Sequence, residues 1–313
     1  MFLDKKFEDL FLNVSNKAAL SSFHLVGKKD KISADKAAVD TMRSELNKIN
    51  MKGRIVIGEG ELDKAPMLYI GEKLGSMNGP ELDIAVDPLE GTNFVANNLP
   101  GGLSVISVAN KHDLLNAPET YMDKISANIS EKGVIDLDYP LKKNINNLAE
   151  YKNKQPFQLT ACILDRPRHK RIINELKKMG VKLKLISDGD VSGALLVTDT
   201  KHCVDIFLGI GGGPEGVLAA SALDAYDCMF QGRFIFDNKR DKSRAISMGI
   251  KNFNKKYELN EIISGDSIFC ATGITSGDLV SGVQIENGQF ITETLITHKS
   301  SGLKKRIKKK QKI

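Results

Sequence analysis

The sequence predicts an α/β protein of layered (α+β) architecture, built as two stacked α/β sub-domains. Three observations carry that prediction. Short β-branched runs alternate with stretches of helical spacing in both halves of the chain. Several of those runs stop at acid and glycine, the usual character of strand ends that carry a site. With 313 residues, 41% of them hydrophobic, the chain can bury one large core or two moderate ones.

The elements follow in order. Phe2, Leu3, Phe7, Leu10, Phe11 and Val14 recur at helical spacing, and a second helix is expected from about Ser33 to Ile49. Ser33 would cap it, with Ala37, Ala38, Met42, Leu46 and Ile49 as its buried face. Arg54–Ile57 and Asp83–Val86 read as strands, separated by a helix that Ala65-Pro66 opens and that runs through Leu74. Leu103 to Ala109 is a further strand, and the stretch from about Lys111 to Pro156 is polar and irregular. The boundary is placed there: an N-terminal metal-binding sub-domain over 1–150, a C-terminal sub-domain over 151–300 and a basic, disordered tail over 301–313. The second half reads as strand (Gln158 to Leu164), helix (Arg168 to Met179), strand (Lys182 to Ile186), helix (Val191 to Leu196) and strand (Val204 to Leu208). A glycine-rich turn then enters a helix from Pro214, and Ser267 to Ala271 and Phe290 to Ile296 are the last strands expected.

The formal charge of +6 points to nucleic acid only at first sight. Seven of the positive charges, from Lys304 to Lys312, lie in the tail with no acid among them, so the body is within one unit of neutral. No nucleic-acid partner is expected. No apolar run reaches the roughly 18 to 20 residues that span a membrane, and Met1 to Phe11 carries acids where a signal peptide needs an unbroken apolar stretch. Cys162, Cys203, Cys228 and Cys270 have neither Cys-x-x-Cys nor zinc spacing and read as small buried hydrophobes. A reducing cytoplasm is the expected location.

Acids at strand ends carry the chemistry. One run reads Ile57-Gly58-Glu59-Gly60-Glu61-Leu62-Asp63, and the other Val86-Asp87-Pro88-Leu89-Glu90-Gly91-Thr92. Neighbouring strands end side by side, so Glu59 and Asp87 can lie close, with Glu90 reaching back from the following turn. Carboxylates held that close repel unless a cation neutralises them, and hard oxygen ligands select Mg²⁺ or Mn²⁺. A single loop acid is ordinarily just solvated; two clusters, each punctuated by glycine after an apolar strand, favour the metal. Pro88 stiffens the turn, and the Thr92 hydroxyl stands where an attacking water would be held.

The second half offers anion-binding candidates. These are Arg166-Pro167-Arg168-His169, Asp188-Gly189-Asp190, and Gly209 to Gly216, where Glu215 adds a further carboxylate and places the metal site in an interdomain cleft. The glycine run suits a phosphate or is a plain turn, and it matches neither a Walker loop nor a dinucleotide fingerprint. Arg166, Arg168 and His169 either bind anion or cover a helix start.

Taken together these residues resemble the class II (GlpX-type) fructose-1,6-bisphosphatases of bacteria, in the lithium-sensitive sugar phosphatase superfamily. The likeness runs through Ser33-Ala-Asp35-Lys-Ala-Ala, Ile55 to Glu61, Ala65 to Glu72, Asp83 to Thr92, Asp188-Gly-Asp190, Gly209 to Gly216 and Ala271-Thr-Gly-Ile-Thr275. Glu90 stands where the wider superfamily has Asp, which narrows the likeness to the class II branch. The resemblance implies a sugar-phosphatase fold and hydrolysis of the 1-phosphate of fructose 1,6-bisphosphate to fructose 6-phosphate, a step of gluconeogenesis. It implies Asp35, Glu59, Asp87, Glu90 and Glu215 as ligands of Mn²⁺ or Mg²⁺. It also implies substrate contacts from Glu90, Gly91, Thr92, Tyr121, Arg166, Pro167, Arg168, Asp188, Gly189, Asp190 and Gly212. Thr92 would orient the water, with Asp63 or Glu61 as its base. A sugar bisphosphate is the expected small-molecule partner, and a homo-oligomer, dimer or tetramer, the expected assembly. Sedoheptulose 1,7-bisphosphate or another sugar or inositol phosphate is the alternative substrate. Asn93, where many members have Arg, the loop from Phe94 to Gly102, and a short stretch from Gly232 to Arg244 depart from the family pattern and bear on substrate affinity.

Overall fold

A computed structural model describes residues 2–58 and 67–312. The chain divides into two compact units, Met1–Glu119 with Ile263–Ile313, and Thr120–Ile262. The boundaries therefore fall near 120 and 263, not at 150 and 300, because the chain leaves the first unit and returns to it.

The first unit opens with α1 (Lys6–Phe23) and α2 (Lys31–Leu46). Asp30 caps α2, ahead of the expected Ser33: its Oδ1 accepts from the Ser33 amide at 3.0 Å, and the Ser33 hydroxyl donates to its Oδ2 at 2.6 Å. Next come β1 (Lys52–Ile57), β2 (Lys73–Leu74), β3 (Glu81–Glu90), α3 (Thr92–Ala96) and β4 (Leu103–Asn110). Among the described residues up to Leu74 the expected helix gives way to β2, antiparallel to β1. Gly71 and Gly75 take φ of 96° and 98°, outside the helical region, and the Gly71 amide donates to the Ile55 carbonyl at 2.8 Å.

The second unit contains β5 (Tyr121–Ala127), α4 (Leu141–Tyr151), β6 (Thr160–Leu164), α5 (Lys170–Lys178), β7 (Lys182–Ile186) and α6 (Asp190–Leu195). It continues with β8 (Ile206–Gly212), α7 (Gly213–Ala225), β9 (Met229–Ile235), α8 (Lys239–Ser247), β10 (Tyr257–Glu258) and α9 (Leu259–Ile262). Its sheet runs β10-β9-β5-β8-β6-β7, with β6 parallel to β7 and β8, and β5 antiparallel to β8 and β9. The stretch expected to be irregular thus holds an inner strand. Asp123 and Lys124 hide β5 in the sequence by breaking its apolar character, though Lys124 is fully buried.

The chain then returns as β11 (Ser267–Gly273), β12 (Gln284–Glu286), β13 (Gln289–His298) and β14 (Leu303–Lys312). The first sheet runs β12-β13-β11-β4-β3-β1-β2, with β14 on the free side of β13. Residues 303–312, expected as a disordered tail, pair with β13 along its whole length. Ten backbone pairings and the packing of Leu303 and Ile307 against the core outweigh the repulsion of the lysines. That core joins Phe11 and Met42 of the helices to Ile84, Ile106, Ile268 and Ile296 of the sheet. Cys162, Cys228 and Cys270 are buried as expected, but Cys203 is exposed, in a turn at φ 50°.

Candidate active site

In the first unit, the sequence Asp87-Pro88-Leu89-Glu90 forms a bulge in the β3–β4 ladder. Asp87 lies opposite Val105 and Glu90 opposite Leu103, so three steps along β3 match two along β4. Pro88 has no amide to give the ladder, which favours such an irregularity. The consequence is geometric. Residues three apart in a regular strand face opposite ways, but residues opposite Val105 and Leu103 share a face, so the bulge turns Asp87 and Glu90 to the same side of the sheet. Both are buried, at 9% and 3% exposure, which makes their charge costly without a counter-ion. Gly91 follows at φ 78°, a left-handed residue that turns the chain into α3, and Thr92 is the first residue of that helix.

Asp35 stands near the start of α2, next to Ala34, which packs in one cluster with Leu89 of the bulge. Burial lifts its carboxyl above the usual range, and Oδ1 is buried with no hydrogen-bond partner. Glu59, Glu61 and Asp63, expected as a metal ligand and as bases, lie outside the described residues. Among the described residues no group of three or more His, Cys, Asp or Glu side chains is disposed to hold a metal ion.

In the second unit the parallel strands β6, β7 and β8 end at one edge, where β5 begins, and the expected anion-binding residues gather there. Tyr121 pairs with Gly212. Pro167 opens a single turn after β6, and the Arg168 guanidinium donates to the Ile210 carbonyl from Nε at 3.0 Å and from Nη2 at 2.8 Å, lying 5.0 Å from the centre of the Tyr121 ring. Arg166 lies 3.7 Å from Asp188. His169 is structural: its Nδ1 donates to the Leu164 carbonyl at 2.7 Å while Nε2 accepts from the Ile210 amide at 2.8 Å, which ties β6 to β8 and implies the neutral Nδ1–H form. Gly189, at φ 86°, leads into α6. A Cβ on Gly211 would lie 2.0 Å from Asp190 Oδ2, and one on Gly212 1.8 Å from Glu215 Oε2. These glycines clear the space that two carboxylates occupy.

A model of bacterial fructose-1,6-bisphosphatase, glpX-encoded, matches residues 6–311. The chain belongs to that family. Within the GlpX-type family it is 42% identical to a class 2 fructose-1,6-bisphosphatase 1 from Escherichia coli (strain K12), over 95% of this chain and 92% of that one. It is 40% identical to a D-fructose 1,6-bisphosphatase class 2/sedoheptulose 1,7-bisphosphatase from Synechococcus sp. (strain JA-3-3Ab), over 96% and 93% of the two chains. A protein of the same description from Synechocystis sp. (strain ATCC 27184 / PCC 6803 / Kazusa) is also 40% identical, over 93% and 91%.

The GlpX-type resemblance implies a divalent metal, and the donor chemistry fits one. Asp87 and Glu90 are hard oxygen donors withdrawn from water, and the half-buried Asp35 has one buried oxygen, Oδ1, that lacks the partner a cation would supply. Sequence reasoning missed Lys124. Its ammonium is buried at 1% exposure, forms an ion pair with Asp190 and donates to the Gly212 carbonyl at 2.7 Å, bracing two residues expected to contact substrate. Its signal was slight, a charged pair Asp123-Lys124 followed by Ile-Ser-Ala.

Proposed function

We propose that this GlpX-type chain hydrolyses the 1-phosphate of fructose 1,6-bisphosphate, giving fructose 6-phosphate and phosphate, with Mn²⁺ or Mg²⁺. The observation that carries the reading is the family match over nearly the whole chain, with Asp35, Asp87, Glu90 and Glu215 all present. Asp35, Glu59, Asp87, Glu90 and Glu215 are the proposed metal ligands. A bound divalent cation supplies neutralisation of the phosphoryl charge and acidification of a water. Thr92, held at the start of α3 by the left-handed Gly91, orients the attacking water through its hydroxyl. Glu61 or Asp63 takes the proton. Tyr121, Arg166 to Arg168, Asp188 to Asp190 and Gly212 hold the sugar bisphosphate, together with Glu90 and Gly91. The buried Lys124 neutralises Asp190, so that Asp190 can accept a sugar hydroxyl without an uncompensated charge.

The names of the cyanobacterial relatives favour a second activity, on sedoheptulose 1,7-bisphosphate. No helix among the described residues is long and apolar enough to cross a membrane. A cytoplasmic homo-oligomer, dimer or tetramer, completes the proposal, and light scattering after gel filtration measures the assembly.

The test is phosphate release from fructose 1,6-bisphosphate, sedoheptulose 1,7-bisphosphate and inositol monophosphate, with Mn²⁺ or Mg²⁺ and then with chelator. Metal-dependent release from the first is expected, and its absence from all three overturns the reading. Asp87→Asn is expected to lower turnover by about 10² to 10³ while the far-ultraviolet circular dichroism stays unchanged. Near-full activity in that variant would remove Asp87 from the site.

A further inference from the structure

The strand β14 carries a charge pattern that phosphate ester hydrolysis does not use. Its odd positions face α1: Leu303 and Ile307 pack against the core, and Lys309 donates to Asn13 Oδ1 at 2.8 Å. Its even positions, Lys304, Arg306, Lys308, Lys310 and Lys312, therefore share the opposite face, and all five are exposed, although Arg306 Nε also donates to the Leu279 carbonyl at 2.8 Å, so that Lys308, Lys310 and Lys312 are the cations that matter most here. In a strand, residues two apart are roughly 6.8 Å apart, so the cations form a regular row roughly 27 Å long. β13 pairs with one side of β14, and among the described residues no strand pairs with the other. That side of β14, over the stretch that carries Lys308, Lys310 and Lys312, is a strand edge with no strand added to it among the described residues.

We propose that β14 is the docking edge for an extended acidic peptide segment, added as a further strand with acids at alternate positions. A strand has the same period of two as the cation row. An added strand with acids at every second residue sets each carboxylate beside a cation on the same face while its backbone completes the ladder. Lysines on an edge strand ordinarily repel neighbouring strands. Here they repel neutral and basic strands and select acidic ones. A single-stranded nucleic acid fits less well, since residues 303–312 contain no aromatic side chain on which bases could stack. The edge is also distant from the proposed chemistry. The pairings Arg306 to Leu295, Leu295 to Ala271, Ala271 to Val105 and Val105 to Asp87 put four strand spacings, roughly 19 Å, between β14 and Asp87.

The experiment is fluorescence anisotropy on the full chain with a labelled alternating Glu-Thr peptide of about ten residues. Three comparison probes are a peptide of the same composition with its glutamates in one block, the alternating peptide N-methylated at alternate amides, and an oligothymidylate of equal charge. The alternating peptide is expected to bind at least tenfold tighter than each of the three, and Lys308→Glu/Lys310→Glu is expected to weaken it roughly tenfold or more. Lys308→Gln/Lys310→Gln is expected to weaken it by a smaller factor. Equal binding of the block or N-methylated peptide overturns the proposal in favour of diffuse charge attraction. Tighter binding of the oligonucleotide overturns it in favour of nucleic acid, and no binding of any probe leaves β14 only a guarded edge. The probe comparisons use the unaltered protein, so the decision does not depend on a variant folding.

Discussion

Replacing Lys124 with Met tests the reading of the second unit most directly. The methionine keeps most of the volume of the lysine stem and removes the ammonium that pairs with Asp190 and donates to the Gly212 carbonyl at 2.7 Å. Both members of the ion pair are buried, at 1% and 8% exposure, so water cannot take over the lost role. Leaving one member of a buried pair uncompensated typically costs about 3–5 kcal/mol. Against a total stability of about 5–15 kcal/mol, a loss of that size is large. Urea denaturation followed by circular dichroism measures the change, and hydrogen exchange at β5 and β8 amides shows whether the loss falls in the second unit. The cost arises from the stranded charge, so the double variant Lys124→Met/Asp190→Asn is expected to recover about half of it or more. A single variant within about 1 kcal/mol of the parent, or a double variant with no recovery, would refute the argument that Lys124 neutralises Asp190.

Other outcomes follow from the same structure. Gly212→Ala places a methyl 1.8 Å from Glu215 Oε2, so that carboxylate must move, and the metal concentration giving half-maximal activity is expected to rise about tenfold or more in a titration with Mn²⁺. Burial alone would lift the Asp205 carboxyl, but hydrogen bonds from Lys154, the Thr160 amide and Lys152 hold it below its ordinary 3.8. It therefore contributes stability above pH 3.8 that is lost as pH falls through its folded-state value. Asp205→Asn is expected to be roughly 1–3 kcal/mol less stable at neutral pH, with a flatter acid limb between pH 5 and pH 3 in thermal melts. Cys203 is exposed while Cys162, Cys228 and Cys270 are buried, and burial pushes the Cys270 thiol far up. An aromatic disulfide reagent is expected to titrate one thiol per native chain and all four in denaturant.

Much of the fold was legible because local pattern and tertiary structure agree. The strand at Lys182–Ile186 matches its expected span, and the strands at β1, β3, β4 and β11 and the opening helices are where hydrophobic spacing puts them. The failures have physical causes. β5 was missed because its buried Lys124 is made tolerable by Asp190, sixty-six residues away, which no window of sequence contains. From its sequence β14 reads as disordered, because composition measures what a segment can bury alone, while the ladder of β13 supplies backbone partners that composition does not register.

The candidate site divides the same way. Residue types alone marked Asp87, Glu90, Thr92, Arg166, Arg168, Asp190 and Glu215, because carboxylates, guanidinium groups and glycines beside strand ends have few structural uses in common. Asp35 came only from family resemblance, since an acid near the start of a helix is common, and its buried, unpartnered Oδ1 becomes visible only when α2 is packed. The sequence by itself determined the chemistry on offer: hard oxygen donors, a hydroxyl beside them, cations and glycines suited to a phosphorylated sugar. Only the tertiary structure decided that Asp87 and Glu90 share a face. Side-chain direction along β3 depends on its register with β4, and that register slips by one residue where Pro88 withholds an amide.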